Sequence, residues 1–163
     1  MRLDGLHLTI RFLGITPSER LPAVSAAVAA VAALEPPFVV AIRGAGAFPN
    51  VRRPRALWLG IDAGAAELAD LSRMTNVELA GAGWPPDDRP FRPHLTLARS
   101  DGVRAGAATA AALIAASAAF SVSFTADRLV LFESLTGGGP ARYEPLSDHP
   151  LAGGIGRRSE PPT

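Results

Sequence analysis

Polar and apolar residues alternate near the start of the chain, where residues 6–13 have the sequence LHLTIRFL before Gly14. A period of two predicts a strand with one buried face. The segments FVVAIRGAGAF, RALWLGID and PHLTLAR are predicted to be strands for the same reason. FSVSFTADRLVLFES is predicted to form one long strand or two joined strands, and ARYEPL the last strand.

Apolar residues with helical spacing lie between these strands. The first predicted helix begins with Thr16 as N-cap, with Glu19 completing a capping box, and ends near Leu34. Residues 65–80 and 104–118 are predicted to form two further helices. Two of the predicted strands begin with a histidine motif and precede a helix, so we expect two similar halves that share a cleft.

The remaining segments are expected to be loops. Residues 81–90 are rich in Gly, Pro and Asp, and residues 136–140 have the composition of a turn. No low-complexity linker divides the chain, so residues 1–150 are predicted to form a single domain of two lobes. Residues 151–163 are expected to be a disordered tail.

The composition narrows the class of protein. The chain has no cysteine, which excludes disulfide frameworks and thiolate metal sites. The net charge of +1 gives no general basic field, and every basic residue is an arginine, whose planar fork suits phosphate. The apolar run at 105–120 is too short and too weakly hydrophobic to span a membrane, and no signal peptide precedes the first motif. A soluble, cytoplasmic protein is predicted.

The sequence His-Leu-Thr followed by an aliphatic residue occurs twice, at His7 and at His94. Residues i and i+2 of a strand share a face, so His7 lies beside Thr9 and His94 beside Thr96. If the two halves face each other, one imidazole accepts a proton while the other donates one, and the hydroxyls bind an oxyanion. This arrangement suits in-line displacement at phosphorus.

Other interpretations of the histidines are open. A single histidine on a strand is most often structural or at the surface, although the repeated motif argues against chance. A metal site would need a third ligand, and no Cys or H-x-x-x-H spacing provides one, so neither a metal nor another cofactor is predicted. His149, in SDHPLAGG, is expected to be an exposed turn residue.

Four arginines are candidate ligands for substrate phosphate. Arg11 shares the predicted face of the first motif, whereas Arg99 nominally lies on the other face of its strand, so its role requires the strand to end or twist. Arg52 and Arg53 lie in a Pro-rich loop, where they either clamp phosphates through bidentate hydrogen bonds or are simply solvated. One of four aromatic residues otherwise expected in the core is a candidate for stacking on a nucleobase: Phe12, Phe48, Trp58 or Phe91.

At these residues the sequence resembles the 2H phosphoesterase superfamily, which is named for two H-x-T/S motifs. Within it, the chain is similar to the bacterial and archaeal RNA 2′,3′-cyclic phosphodiesterases, also called 2′-5′ RNA ligases. The segments LHLTIRFLG, FPNVRRPRALWLGID, FRPHLTLAR and LVLFES occur in the family's order, and the similarity covers roughly residues 6–150. The resemblance implies a bilobal α+β fold with two antiparallel sheets, related by a pseudo-twofold axis, helices outside and a cleft between them.

The resemblance also implies metal-independent hydrolysis of RNA 2′,3′-cyclic phosphate ends to 2′-phosphomonoesters, with reversible 2′-5′ ligation as a further activity. By this resemblance His7 is the proton donor to the leaving 3′ oxygen and His94 the proton acceptor from water. Thr9 and Thr96 would hold the non-bridging oxygens. Because the reverse of ligation exchanges the roles, the assignment of acid and base to the two histidines stays open.

Two alternatives remain at this point, namely a non-catalytic nucleotide- or RNA-binding module of the same fold and a phosphodiesterase for a small cyclic nucleotide. The expected partner is an RNA or nucleotide end with a 2′,3′-cyclic phosphate, with no membrane association and a monomeric full-length protein. Family members usually carry a further strand and helix before the first motif, whereas six residues precede His7 here. We therefore expect that Met1 is an internal valine codon read as a start, and that a longer chain would be more stable and less prone to associate.

Overall fold

The computed structural model describes residues 6–87, 89–99, 106–135 and 141–152. The helices of these ranges, α1 to α3 in chain order, are Leu21–Leu34, Ala65–Gly81 and Ala107–Ala116. The strands, β1 to β6, are Phe38–Phe48, Ala56–Ala63, His94–Arg99, Ser121–Ala126, Arg128–Leu135 and Arg142–Pro150. None of the helices in the described ranges is long and apolar enough to cross a membrane.

The strands form two antiparallel sheets. The first sheet has the order β3-β2-β1-β4, and the second pairs β5 with β6. Asp127 alone separates β4 from β5, so the chain passes from the first sheet to the second within one residue. The predicted α+β class with two antiparallel sheets is confirmed.

Helix α1 packs between α2 and the second sheet. Val31 and Ala32 of α1 lie in a buried cluster with Leu71 of α2, Leu129 of β5 and Leu151. Burying an aliphatic side chain of this size stabilises a fold by about 1.5–3 kcal/mol. This cluster therefore holds α1 against both α2 and the second sheet.

The first sheet has one apolar face. Ile42, Leu59 and Leu95 come from β1, β2 and β3 and form a buried cluster, against which Leu6 and Leu8 pack. Successive residues of a strand point to opposite faces, so the neighbours of these leucines lie on the other side of the sheet. That other side carries the candidate site.

The first predicted strand, at residues 6–13, is not formed as a ladder. Among the described residues it makes one isolated antiparallel bridge, between Leu8 and Leu95. Ile10 still packs against a buried cluster, but Phe12 is 64% exposed and Ile15 fully exposed, so the buried alternation ends after Ile10. Alternation shows which residues suit burial, but a strand also needs a backbone partner along its length.

The predicted N-cap at Thr16 and its capping box with Glu19 are wrong. Thr16 Oγ1 donates instead to the carbonyl oxygen of Gly14, at 3.3 Å. A short 3-10 helix, Ser18–Arg20, comes first, and α1 begins at Leu21 with a proline in its first turn. Proline lacks the N–H that a first turn leaves unpaired, so Pro22 favours the later start.

The other elements agree with the predicted ones apart from their bounds. The segment after Phe120 forms two strands that belong to different sheets, and β6 extends well beyond ARYEPL to Pro150. Helix α3 begins at Ala107, and residues 104–105 of its predicted range lie outside the described residues. The turn predicted at 136–140 and most of the predicted tail, 153–163, also lie outside them.

Candidate active site

The two histidine motifs meet at the isolated bridge. Leu8 of the first motif pairs with Leu95 of the second, and the pairing is antiparallel. Both leucine side chains belong to the same apolar cluster on one face of the sheet. The bridge therefore joins the central residue of H-L-T in one motif to the central residue of H-L-T in the other.

The register of this bridge arranges the four polar motif residues. An antiparallel pairing of Leu8 with Leu95 brings His7 opposite Thr96 and Thr9 opposite His94. Because the leucines point into the apolar cluster, all four polar side chains belong to the other face. The imidazoles occupy one diagonal of the quartet and the hydroxyls the other, and diagonal neighbours in such a pair are about 7–8 Å apart.

His94 begins β3, which pairs with β2 over five residue pairs. Its Nδ1 lies 2.6 Å from the carbonyl oxygen of Arg92, which can only accept a hydrogen bond. Nδ1 therefore carries the proton, and in the neutral ring Nε2 keeps its lone pair. This contact fixes the tautomer that a general base requires.

Two aromatic rings support His94 from the same face of the sheet. The Phe48 ring lies 5.0 Å from the imidazole at 81°, and the Trp58 ring lies 6.3 Å away at 62°. Trp58 pairs with Gly46 across β1 and β2, and a Cβ on that glycine would come within 2.8 Å of Trp58 Cε2. The glycine thus leaves the space in which the indole lies against the sheet.

His7 contacts the second sheet. Its ring lies 4.3 Å from the Tyr143 ring in an edge-on arrangement, and 5.9 Å from the Phe132 ring. Both aromatic residues come from the paired strands β5 and β6, far along the chain from His7. Tyr143 was not among the predicted site residues, since no local pattern marks it beyond its being the single tyrosine of the chain.

The two threonines of the motifs differ in their exposure to solvent. Thr96 is half-buried and pairs with Trp58 in the ladder between β2 and β3, whereas Thr9 is exposed. Neither belongs to the apolar cluster beneath the motifs. The register of the bridge puts both threonines on the face of the two histidines.

Arg99 lies on the same face as His94 because of an irregularity in β3. The register shifts between Leu57 and Trp58, so that Ala98 pairs with Leu57 and Arg99 with Ala56. Paired residues share a face, and the extra residue reverses the alternation. The twist that a role for Arg99 required is therefore present, and its side chain is exposed.

Arg52 and Arg53 are exposed in the loop between β1 and β2. Asn50 Oδ1 accepts hydrogen bonds from both backbone N–H groups, at 3.1 and 3.0 Å, and this holds the loop in a tight turn. Because Ala56 begins β2 and pairs with Arg99, the loop lies at the end of the sheet where Arg99 is found. A role for these side chains in phosphate binding stays a prediction.

The Arg11 side chain forms an ion pair and a hydrogen bond within the protein. Its Nη1 forms a 2.9 Å ion pair with Asp87 Oδ2, and its Nη2 donates to the carbonyl oxygen of Pro85 at 2.6 Å. The Arg11 side chain is 9% exposed. Asp87 was missed in the sequence because it lies 76 positions from Arg11, in a loop whose composition predicts only a turn.

His149 is not the exposed turn residue that its sequence suggested. It is half-buried in β6, and its Nε2 lies 2.9 Å from Ser147 Oγ and 3.2 Å from Ser25 Oγ of α1. The sequence Asp-His-Pro resembles a turn, but the ladder with β5 continues through these residues. His149 pairs with Leu129, on the side of the second sheet against which α1 packs, apart from the motif quartet.

The remaining predicted residues are separate from the quartet. Phe12 is exposed and Phe91 half-buried, and neither has an aromatic contact with His7 or His94 in the described part of the chain. Within the described ranges, no group of three or more His, Cys, Asp or Glu side chains could hold a metal ion.

Known proteins resemble this chain in sequence and in fold. The 2′-5′ RNA ligase superfamily matches residues 2–138. The RNA 2′,3′-cyclic phosphodiesterase of Geobacillus stearothermophilus is 36% identical over 152 residues, which are 92% of this chain and 46% of that protein. The chain spans about half the length of the curated relatives it matches first.

Solved structures show the same fold. TT0787 of Thermus thermophilus has a TM-score of 0.73 and 28% identity, over 91% of this chain and 79% of that one. E. coli LigT in complex with 3′-AMP has a TM-score of 0.68 and 30% identity, over 91% and 78% of the two chains. With the sequence match over most of its length and these structural neighbours, the chain belongs to the 2′-5′ RNA ligase superfamily.

Proposed function

We propose that the protein hydrolyses the 2′,3′-cyclic phosphate ends of RNA to 2′-phosphomonoesters by two-histidine general acid-base catalysis. The observation that carries this proposal is the antiparallel bridge between Leu8 and Leu95, which brings the two H-L-T motifs together on one face. Relatives named RNA 2′,3′-cyclic phosphodiesterase, from 30% to 44% identical, support the choice of substrate.

The cyclic phosphate would lie between the two imidazoles. A diagonal separation of about 7–8 Å between motif positions leaves room for a tetrahedral phosphate with one imidazole on each side. Thr9 and Thr96, on the other diagonal, would donate hydrogen bonds to the two non-bridging oxygens. These donors stabilise the charge that develops on the oxygens as the phosphorus becomes five-coordinate.

Proton transfers would take place at opposite ends of the phosphorus. His94 Nε2 removes a proton from water, and the water oxygen forms a new bond to phosphorus. The bond from phosphorus to the 3′ oxygen breaks, and protonated His7 supplies the proton that this oxygen needs. The product is a 2′-phosphomonoester with a free 3′ hydroxyl, and the histidines have exchanged their protonation states.

The contact of His94 Nδ1 with the Arg92 carbonyl supports this assignment of base and acid. It holds the tautomer whose Nε2 accepts a proton, and the carbonyl continues to accept from Nδ1 once the ring is charged. If an RNA 5′ hydroxyl takes the place of water, the same steps form a 2′-5′ linkage. We therefore propose 2′-5′ ligation as a second activity of this site, with the histidine roles exchanged when the linkage is cleaved.

A small cyclic nucleotide is the second candidate substrate. E. coli LigT has been solved in complexes with 3′-AMP, ATP, NADP+ and phosphate, so a protein of this fold accepts single nucleotides. The Phe48 and Trp58 rings lie beside His94, and a nucleobase bound there would stack on an aromatic ring. A single nucleotide would then bind without a second RNA residue.

The test compares two substrates, an RNA oligonucleotide with a 2′,3′-cyclic phosphate end and adenosine 2′,3′-cyclic phosphate. We expect hydrolysis of the oligonucleotide at a higher kcat/KM, with the 2′-phosphomonoester identified by mass spectrometry and by its sensitivity to phosphatase. A higher kcat/KM on the mononucleotide would favour the small-substrate candidate. Binding of either substrate without any product would favour a non-catalytic module.

A chelator and a pH series complete the experiment. We expect turnover to survive EDTA, because the imidazoles supply both proton transfers. We expect a bell-shaped pH dependence, since one imidazole must be neutral while the other is charged. Complete loss in EDTA with recovery on adding a divalent cation would contradict the proposed chemistry.

A further inference from the structure

The first motif lies in a segment with little backbone support. In the described ranges, residues 6–14 make the one bridge at Leu8 and no further ladder pairs. His7 must nevertheless keep its place opposite the second motif for the proposed chemistry. Something other than a sheet ladder therefore has to hold this segment.

Side chains hold it from two directions. Arg11 extends to the loop before the second motif, where it pairs with Asp87 at 2.9 Å and donates to Pro85 at 2.6 Å. Ser72 Oγ of α2 donates to the backbone carbonyl of Ile10 at 3.3 Å. Both contacts lie directly after the motif, within four residues of His7.

The two contacts are joined through α2. Asn76 Nδ2 donates to the Ser72 carbonyl at 2.9 Å, and Asn76 Oδ1 accepts from the backbone N–H of Asp87 at 3.4 Å. The carboxylate of Asp87 then returns to Arg11. These polar contacts form a closed network between the first motif segment, α2 and the loop. Its members are Ile10, Ser72, Asn76, Asp87 and Arg11.

Asp87 is at the centre of this network. Besides Arg11, it binds Arg89 in a bidentate contact, with Nε at 2.9 Å from Oδ1 and Nη2 at 3.0 Å from Oδ2. The Arg89 side chain is 78% exposed, whereas Asp87 is 22% and Arg11 9% exposed. The Arg11–Asp87 pair is therefore shielded from water, and breaking it is costly. The Arg89–Asp87 pair is screened by water.

We propose that Arg11 and Asp87 are positioning residues, whose ion pair sets the place of His7 relative to His94. The proposal rests on the proposed function, because the distance it controls is the one between acid and base. Asp87 lies seven residues before His94 and Arg11 four residues after His7, so the pair ties one motif to the approach to the other. A displacement of the order of 1 Å in such a constellation lowers turnover by up to about 10²-fold.

This role differs from the direct phosphate contact predicted for Arg11. A guanidinium that is 9% exposed and bound to a carboxylate and a carbonyl has little surface left for a substrate. A positioning residue acts on kcat, whereas a phosphate ligand acts on KM and on the dependence of KM on salt. The two roles are therefore separable by steady-state kinetics.

The experiment measures kcat and KM for Asp87→Asn on an RNA with a 2′,3′-cyclic phosphate end. We expect kcat to fall by about 10- to 100-fold with KM changed by less than about threefold, because the site is intact but misaligned. Asp70→Asn is the matched control, since Asp70 forms an exposed pair with Arg73 on α2, at 3.2 Å. We expect the control to keep wild-type kinetics.

Asp87→Glu is a second variant, which tests the proposal even if Asp87→Asn does not fold. Glutamate keeps the charge but lengthens the link by one methylene, so we expect normal folding by circular dichroism with kcat reduced by about three- to tenfold. Wild-type kcat in a folded Asp87→Glu or Asp87→Asn variant would overturn the proposal. A rise in KM that salt abolishes, with kcat unchanged, would instead return Arg11 to phosphate binding.

An NMR measurement separates failure of this inference from failure of the proposed function. The ring signals of His7, His94 and His149 are recorded in the wild type and in Asp87→Glu. We expect the His7 signals to shift while those of His149, which contacts Ser25 and Ser147, stay in place. If the wild type has no turnover, the proposed function fails; unchanged His7 signals overturn the positioning role whether or not the wild type is active.

Discussion

The two H-L-T motifs carry the same residues but are supported differently. The second motif begins a strand inside a four-stranded sheet, with five residue pairs to β2. The first, among the described residues, has one bridge and is held by Arg11 and Ser72 through side-chain contacts. One motif is fixed by its backbone ladder and the other by side-chain contacts.

The two motifs therefore carry the same chemical groups on different structural supports. A ladder tolerates changes of surface side chains, since its hydrogen bonds come from the backbone. A segment that depends on side chains is sensitive to substitutions far away in the sequence, such as those in α2 or in the loop before β3. We therefore expect equal effects from changing the two proposed catalytic histidines and unequal effects from changing the residues that support them.

The largest expected effect comes from the imidazoles. His7→Ala and His94→Ala should each lower kcat by about 10²–10⁴, the usual range for positioned general acid-base catalysis, with a much smaller change in KM. Similar losses at the two positions would show that different supports serve equivalent chemical roles. The measurement is steady-state hydrolysis of an RNA 2′,3′-cyclic phosphate.

His149→Gln is the control for these two variants. Its side chain can still bond to Ser25 and Ser147, which the imidazole contacts now, so we expect turnover close to that of the wild type. Near-normal kcat in His7→Ala or in His94→Ala would contradict the two-histidine mechanism. A loss in the control as large as in the other two would point to a general defect of folding.

Much of the fold could be predicted because its signals are local. The strands β1 and β2 have runs of aliphatic residues bounded by Pro, Asn and Gly, and α2 has leucines at helical spacing. The repeated H-L-T motif indicates a candidate site because alternation alone places His and Thr on one face. These inferences need no knowledge of which segments meet.

The errors and omissions concern contacts between distant segments. Residues 6–13 have the alternation of a strand, but whether they form a ladder depends on the partner, which the sequence does not specify. The sequence around His149 is typical of a turn, whereas in the structure this segment pairs with β5. Tyr143 beside His7 and Asp87 beside Arg11 lie 136 and 76 positions away from their partners, so no pattern within a window links them.

The second prediction compares the two leucines of the bridge. Leu95 is 8% exposed, and Leu95→Ala should lower the free energy of unfolding by about 2–5 kcal/mol, because it leaves a cavity in the apolar cluster. Leu8 is half-buried at the border of this cluster, so Leu8→Ala should cost about 1–2 kcal/mol. Urea unfolding of the two variants measures the difference. Equal losses would mean that the first motif is as firmly packed as the second.

The third prediction concerns the aromatic support of His94. Gly46→Ala places a Cβ against the Trp58 indole, so the ring or the strand has to move, at a cost of about 1–3 kcal/mol in the free energy of unfolding. The movement should also lower kcat, because Trp58 and Phe48 flank the His94 ring. Thermal melts and kinetics test both effects.

Gly81→Ala is the matched control for this substitution. Gly81 is the last residue of α2, and a Cβ there meets nothing within 4 Å. Alanine at a helical position restricts the unfolded chain, so we expect a gain of about 0.4–1 kcal/mol and unchanged kcat. A Gly46→Ala variant as stable and active as the control would show that the indole is free to shift without disturbing His94.

The smallest expected effect lies at the junction of the two sheets. Arg128 Nε donates to Asp127 Oδ1 at 2.9 Å, and this hydrogen bond, with the positive charge, holds the pKa of Asp127 below its usual value of 3.8. Arg128 also pairs with Asp148 of β6 at 2.9 Å, so the three residues fasten β5 to its neighbours. Both acidic groups are about half exposed, and water screens such pairs.

The sign of the pH effect follows from the lowered pKa. The folded state binds the Asp127 proton less readily than the unfolded chain, so this group stabilises the fold fully above about pH 3.8 and loses its contribution as pH falls through the lower folded-state pKa. Asp127→Asn should therefore remove a small part of the loss of melting temperature that the wild type shows below about pH 5, and leave the melting temperature at neutral pH slightly lower. Thermal melts of the two proteins across a pH series measure both effects. An Asp127→Asn variant with the acid sensitivity of the wild type would mean that the junction pair adds nothing measurable to stability.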